Sequence, residues 1–335
     1  MRGADYIIKR GFFALVTIYV AITINFFLFR VLPGNAVTDL SRVPHASPAL
    51  RHALLTEFGL DKPKWEQYLI YLKNLAHGNM GISFANQQPV SHLLLADLKN
   101  TIPMVTVGTV AAIILGVFTG VLSAWRRASA SDHLSTNTAI FFYAFPTQWL
   151  GLMLLILFAG ILPAGGMSDP FLFTAEPFWQ HLGDIAKHMF LPAATLMLTA
   201  FGSYTLVVRS SMLETLGEDY VLTARAKGLP TRRIVWRHAV RNALLPLVTL
   251  IALELGFIVG GALLVEVIFS WPGIGLAMYS AIGQRDYPML QGGFLILTVS
   301  VILLNLVADL LYFRLDPRIS TCPCRSRTQL WPPRA

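Results

Sequence analysis

The run Val105-Thr-Val-Gly-Thr-Val-Ala-Ala-Ile-Ile-Leu-Gly-Val-Phe-Thr-Gly-Val-Leu122 holds eighteen consecutive residues without a charge. A bilayer core about 30 Å thick takes roughly 20 apolar residues per helical span, so this run is long enough to cross one. Phe294–Leu306 has the same character. Strands of an outer-membrane barrel would alternate apolar and polar residues, so these unbroken runs exclude that fold. Working outward, six such stretches are found, at about 11–32, 102–124, 138–160, 189–208, 244–268 and 290–312. The chain as a whole agrees: 55% hydrophobic and 13% charged residues and a mean hydropathy of +0.58 belong to a protein whose solvent is lipid.

Charge orients the spans, because short loops rich in Lys and Arg stay in the cytoplasm. Arg2, Lys9 and Arg10 precede the first span, and Arg126 and Arg127 follow the second. Arg209, Arg225, Lys227, Arg232, Arg233, Arg237 and Arg241 lie between the fourth and fifth, and Arg314 and Arg318 follow the sixth. The opposite loops are poorer in cations: Lys187 stands against Asp169, Glu176 and Asp184, and Arg285 beside Asp286. The expectation is an all-α membrane protein of six transmembrane helices with both termini cytoplasmic. The net charge of +8 then marks topology and indicates no nucleic-acid partner. The basic start and apolar run at the N-terminus lack a small-residue cleavage site and read as a span, not a signal peptide.

The organisation follows. Residues 1–32 hold the first span, 33–101 an extracytoplasmic helical segment, 102–314 a core of five helices with a cytoplasmic loop at 210–243, and 315–335 a tail read as disordered. Within the second segment, Pro48–Phe58 has helical spacing, and Glu66–Leu75 places Tyr68, Leu69, Leu72 and Leu75 on one face. Trp179 and neighbouring Phe residues suggest an interfacial element at about 161–188. Cys322 and Cys324 lie in the tail with no further Cys or His at ligand spacing, so no metal site is expected.

The loop from Leu216 to Pro246 is the most informative. Gly217, Glu218 and Asp219 open a helix through Tyr220–Lys227, with the acids at its N-terminus and Arg225 and Lys227 at its C-terminus as the helix dipole favours. Gly228 closes it, Pro230 prevents its continuation, and Thr231 is placed to N-cap the next helix, which runs to Pro246. On the residues alone this helix-turn-helix is either a basic amphipathic segment resting on anionic membrane lipid or a docking element for a cytoplasmic partner.

Two stretches of the loop, Tyr220-Val-Leu-Thr-Ala-Arg-Ala-Lys-Gly228 and Arg237-His-Ala-Val-Arg-Asn-Ala-Leu-Leu-Pro246, resemble the permease family of bacterial binding-protein-dependent ABC importers of the dipeptide/oligopeptide/nickel type. Leu222-Thr223-Ala224 stands where the wider importer pattern has Glu-Ala-Ala, and the spacing from Gly228 to Pro246 is longer; both departures resemble the peptide subgroup. Further resemblance lies in Phe29-Arg-Val-Leu-Pro-Gly34, Phe58-Gly-Leu-Asp-Lys-Pro63, Gly78-Asn-Met-Gly-Ile-Ser83, Glu266-Val-Ile-Phe-Ser-Trp-Pro-Gly-Ile-Gly275 and Arg285-Asp-Tyr-Pro288, so that it covers about residues 1–319. The resemblance implies the type I importer transmembrane fold in the bacterial inner membrane, with a coupling helix that docks on an ATPase subunit. The implied contact residues are Thr223, Ala224, Arg225, Ala226, Lys227, Gly228, Leu229 and Pro230. The implied partners are a second homologous permease, two ATPase domains and an extracytoplasmic substrate-binding protein, with peptide as substrate and nickel or glutathione as the alternative within the subgroup.

No G-x-x-x-x-G-K-[ST] loop is present, so ATP and its Mg are expected on partner subunits and no cofactor on this chain. Nor is there an H-E-x-x-H or G-x-S-x-G sequence, and no catalytic residue is assigned. Intramembrane acids mark pathways, partners or helix ends. Glu254, deep in the fifth span, is the candidate pathway or gate residue. Glu266, just before Trp271-Pro272-Gly273, either bonds the amides of that turn or meets solute. Asp309 is expected to pair with Arg314, and Gly256, Gly260 and Gly261 to admit a close helix neighbour. An ion-coupled secondary transporter would instead need paired midplane acids, and here they are dispersed.

Overall fold

The computed structural model describes residues 3–31, 62–169 and 177–315, and among them the only regular structure is helical. Ten helices matter for the argument: α1 (Gly3–Val31), α2 (Lys64–Ala76), α3 (Val90–Trp125), α4 (Ala130–Ala144), α5 (Thr147–Leu157), α6 (Phe178–Leu216), α7 (Asp219–Ala226), α8 (Leu245–Ile268), α9 (Ile274–Gln284) and α10 (Tyr287–Leu315). The expected helix at Pro48–Phe58, the stop at Pro33-Gly34 and the tail with its cysteines lie outside the described residues. So do the side chains of Arg30, His238, Glu254, Gly256, Gly260, Gly261 and Arg314.

Helix covers each of the six apolar stretches, with one correction of shape. The third, read as a single span over 138–160, is two helices, α4 and α5, that meet at 106°. Pro146 causes the break: it has no N–H to continue the ladder and sits in an extended conformation (φ −60°, ψ 130°) as the residue before α5. Among the described residues, four helices, α1, α3, α6 and α10, hold segments long and apolar enough to cross a bilayer unaided, and α4 with α5 makes a fifth if the bent pair counts as one. Pro103 and Pro192 lie inside continuing helices, whereas Pro246 falls in the first turn of α8, where a missing N–H costs nothing.

The core is built on α6. Against it lies α3, presenting Gly108, Ala112, Gly116 and Gly120 at every fourth position. A Cβ on Gly116 would stand 2.5 Å from the Cβ of Tyr204, and one on Gly120 2.8 Å from the carbonyl oxygen of Thr205, so the two backbones approach as only small residues allow. On another side, Gly202 of α6 admits α4, since a Cβ there would lie 2.4 Å from the carbonyl oxygen of Ala139. Buried Val208, Met212, Val235, Ala239 and Leu247 continue this core to the end that carries the 210–243 loop, called here the loop end.

α1 packs on α10, antiparallel to it. Arg10 meets Asp309 at 3.1 Å near the loop end, and at the far end Asn25 donates from Nδ2 to the Gln291 carbonyl at 2.9 Å. Asp309 thus pairs across helices with Arg10, from α1; the side chain of Arg314, its expected partner, lies outside the described residues. At the far end α2 closes over α1: Phe26, 1% exposed, sits between the rings of Tyr68 and Tyr71. The inward face of α2 therefore runs through Gln67, Tyr68 and Tyr71, and Leu69, expected on it, is 55% exposed.

Candidate functional site

The loop end is formed by α6, α7 and the segment that returns to α8. α7 begins at Asp219 after the extended Glu218, and it ends in a complete left-handed cap. The Gly228 N–H donates to the Arg225 carbonyl at 2.9 Å, the Leu229 N–H to the Ala224 carbonyl at 3.3 Å, and Gly228 has φ +71°. These are the two reverse hydrogen bonds of a Schellman motif, and Leu229 packs back onto the helix as that motif favours. Thr231, expected to cap the next helix, is its first residue instead; Pro230 precedes it in extended conformation, and its carbonyl accepts from Arg233 and Ile234 at 2.8 and 3.2 Å. From there a turn (Thr231–Arg233), a π-helical stretch (Ile234–Ala239) and a further turn (Val240–Ala243) lead almost without interruption into α8.

One side of α7 is anchored. Val221 and Ala224 are buried against Ile234, with Leu216 and Leu229 around them. Asn242 donates from Nδ2 to the Tyr220 hydroxyl at 2.9 Å, which fixes the helix to the returning segment. Of the residues assigned to docking, Thr223, Arg225, Ala226, Lys227, Gly228 and Pro230 are exposed, Leu229 is half-buried, and Ala224 faces inward. Leu222, 52% exposed, adds an apolar side chain to the free face.

Just behind this element lies an ion pair between residues far apart in the sequence. Asp132, 2% exposed on the first turn of α4, receives the Arg209 guanidinium of α6 in a two-pronged contact, Nε to Oδ1 at 2.8 Å and Nη2 to Oδ2 at 3.0 Å. The Ala128 N–H donates to Oδ2 at 2.9 Å, and the buried Ser123 hydroxyl of α3 donates to Oδ1. Three helices are thereby tied together seven residues before α6 ends at Leu216. The charge of Arg209 marked it only as a residue of a basic loop, and its partner stands 77 positions away.

At the far end, Glu266 is fully buried and closes the turn from α8 to α9. Its Oε2 accepts from the N–H groups of Gly275 and Leu276 at 2.6 and 3.3 Å, and its Oε1 from the Thr101 hydroxyl at 2.6 Å. Thr101 in turn accepts from the Ile274 N–H at 3.1 Å. A Cβ on Gly273 would lie 2.4 Å from Glu266 Oε1, which explains the glycine before α9. Trp271, fully buried, donates from Nε1 to the Asn100 carbonyl at 3.0 Å, and Asn100 donates back to the Pro272 carbonyl at 2.8 Å. Nearby, Asp286 joins two of the distant motifs: its Oδ2 accepts from Ser83 and from the Ala85 N–H at 2.5 and 3.2 Å, while its Oδ1 accepts from the Met289 N–H at 3.2 Å and caps α10.

Between these ends, α3, α8 and α10 enclose a cleft of about 480 Å³. Its wall is almost wholly apolar, with Val105, Val110, Leu303 and Leu304 joined by Thr101, Thr106, Thr109 and Ser300, and the Thr101 hydroxyl is turned away to Glu266. Glu266 is set behind this wall, touching it only through Thr101. His188, at the end of the expected interfacial element, is 8% exposed and lies 3.2 Å from Asp184 of its own helix. Among the described residues no cluster of His, Cys, Asp or Glu is arranged to hold a metal ion.

A helical bundle whose widest helix contact leads directly into a rigidly capped, half-exposed helix defines a membrane protein with one short helix held at its loop end. Residues 112–321 match the family described as binding-protein-dependent transport system inner membrane component, and residues 4–105 match the N-terminal region of such membrane components. The chain is 38% identical over 334 residues to the dipeptide transport system permease protein DppB of Escherichia coli K12, covering 94% of this chain and 98% of that one. It is 37% identical over 331 residues to the di/tripeptide transport system permease protein DppB of Pseudomonas aeruginosa, with coverage of 94% and 98%. To the oligopeptide transport system permease protein AppB of Bacillus subtilis it is 36% identical over 320 residues, with coverage of 94% and 99%. The chain belongs to the family of inner membrane components of binding-protein-dependent transport systems.

Proposed function

We propose that this chain is the permease subunit of an ATP-driven importer of di- and oligopeptides. It crosses the inner membrane six times with both termini in the cytoplasm. The antiparallel pairing of α1 with α10, which brings Arg10 to Asp309, supports placing the two termini on one side. α7 and its cap, Leu222–Pro230, dock on a separate ATPase subunit, and a second homologous permease brings its own such helix to a second ATPase domain. An extracytoplasmic binding protein delivers the peptide at the far end, and the cleft between α3, α8 and α10, together with Glu254 on α8, belongs to the solute pathway. ATP and Mg are bound and hydrolysed on the partners.

The observation that carries this reading is the mechanical continuity of the loop end. A motion imposed on α7 passes into α6 at Gly217 and into the returning segment through Val221, Ala224 and Ile234, while the Asp132–Arg209 pair and the glycine face of α3 make α6 move with its neighbours. The peptide assignment rests on the names of the three relatives. The test is uptake of labelled dipeptide into proteoliposomes holding the complete transporter and its binding protein. Uptake is expected only with ATP and the ATPase subunits; uptake driven by an ion gradient with this chain alone would overturn the reading.

A further inference from the structure

We infer that the groove formed by Arg232, Arg233, Trp236 and Arg237 is a binding site for the phosphate headgroup of an anionic phospholipid. The inference rests on the proposed cytoplasmic placement of the loop end. The groove is open, encloses about 520 Å³ and is completed by Pro230. Its three guanidiniums make no ion pair among the described residues. Local charge is only partly balanced: from Glu214 to Glu254 the sequence holds six Lys and Arg against Glu214, Glu218, Asp219 and Glu254. Packing determines which side chains stay free. Ile234 is buried against α7, and Val235 and Ala239 are buried with Val208 and Met212, so the wider π-helical turn leaves Arg232, Arg233, Trp236 and Arg237 outside.

Two features favour lipid over a protein surface as the occupant. Trp236 is 46% exposed next to the cations, an amphipathic ring of the kind that sits at headgroup level. The chain then runs through Arg241 into the apolar helix α8 at Leu245, itself 52% exposed, so the cations stand about two to four helical turns before the apolar helix begins. Clustered Lys and Arg immediately beside a span attract anionic headgroups, and planar guanidiniums match phosphate oxygens two at a time. The surface free for an ATPase is the other one, the exposed face of α7.

The test is native mass spectrometry of the complete transporter released from nanodiscs of equal phosphatidylglycerol and phosphatidylcholine. Phosphatidylglycerol is expected to stay on the permease under activation that strips phosphatidylcholine. The exposed triple variant R232Q/R233Q/R237Q should lower that retention on the order of a hundredfold, and R126Q/R127Q, altering the basic pair after α3, should not. Equal loss of both lipids from the wild type, or unchanged retention in the triple variant, overturns the inference. So does release of the ATPase subunits from the triple variant with phosphatidylglycerol still bound, which assigns the groove to the ATPase. Peptide uptake separates the two readings: retention without ATP-driven uptake counts against the importer alone, and uptake without selective retention counts against the groove alone.

Discussion

Asp132 and Glu266 are both carboxylates removed from solvent, yet they are held by different chemistry. Their contacts on α3, Ser123 and Thr101, are 22 residues apart, roughly 33 Å of helix. Asp132 at the loop end faces a guanidinium. Glu266 at the far end has no cation partner among the described residues and is satisfied by two backbone N–H groups and a hydroxyl. A charge pair concentrates the stabilisation in one partner, whereas neutral donors spread it, so the loop end should be the less tolerant of a single substitution. That suits the force transmission proposed for the loop end.

The largest effect is therefore expected from Asp132→Ala, which strands the Arg209 charge beside the Ser123 hydroxyl. Removing one member of a buried pair costs about 3–5 kcal/mol, and Arg209, 27% exposed, puts this case toward the lower end because its head can turn to water. Thermal unfolding in detergent measures it. D132A/R209L should recover a substantial part of the loss, since neither charge is then left alone. A double variant no more stable than Asp132→Ala would break the comparison at its first term.

At the far end, Glu266→Gln keeps the shape and one acceptor oxygen but turns an NH₂ group toward one of the donors. A buried donor left without an acceptor costs about 1–3 kcal/mol, so this variant should unfold later than Asp132→Ala in the same assay. The reverse order would mean that neutral donors hold a buried carboxylate here as firmly as a guanidinium does.

These two sites also divide what could be read in advance. The Glu266 turn was legible as one of two readings, because Trp271-Pro272-Gly273 signals a chain reversal a few residues after an acid and local amides need an acceptor. Gly228 was legible for the same reason: a glycine after a helix and before a proline is a local signal. The Asp132–Arg209 and Ser83–Asp286 contacts join residues 77 and 203 positions apart, and nothing in their neighbourhoods names the partner. The bend at Pro146 had a local signal that hydropathy outweighed, since apolar residues continue on both sides. The Gly108, Ala112, Gly116 and Gly120 face carries a four-residue repeat of small residues that is legible in the sequence, but the repeat does not name α6 as the helix it meets.

The smallest effect on stability, and the one that isolates the loop end, is expected at Gly228. No heavy atom stands within 4 Å of where a Cβ would lie, so a side chain meets no obstacle and the cost is the left-handed backbone alone, about 1 kcal/mol for Gly228→Ala. Gly116 is the opposite case, a glycine required by space and not by φ. Function should respond differently from stability. A bulky residue such as Gly228→Trp projects from the exposed end of α7 and shifts its cap, while the buried anchors Val221 and Ala224 and the Asp132–Arg209 pair remain as they are. ATP hydrolysis should then persist in proteoliposomes while dipeptide uptake falls at least several-fold, with the protein still inserted in the membrane. Wild-type uptake per ATP in that variant would show that force enters the bundle elsewhere than at the capped end of α7, and the stiffness of the loop end would need another explanation.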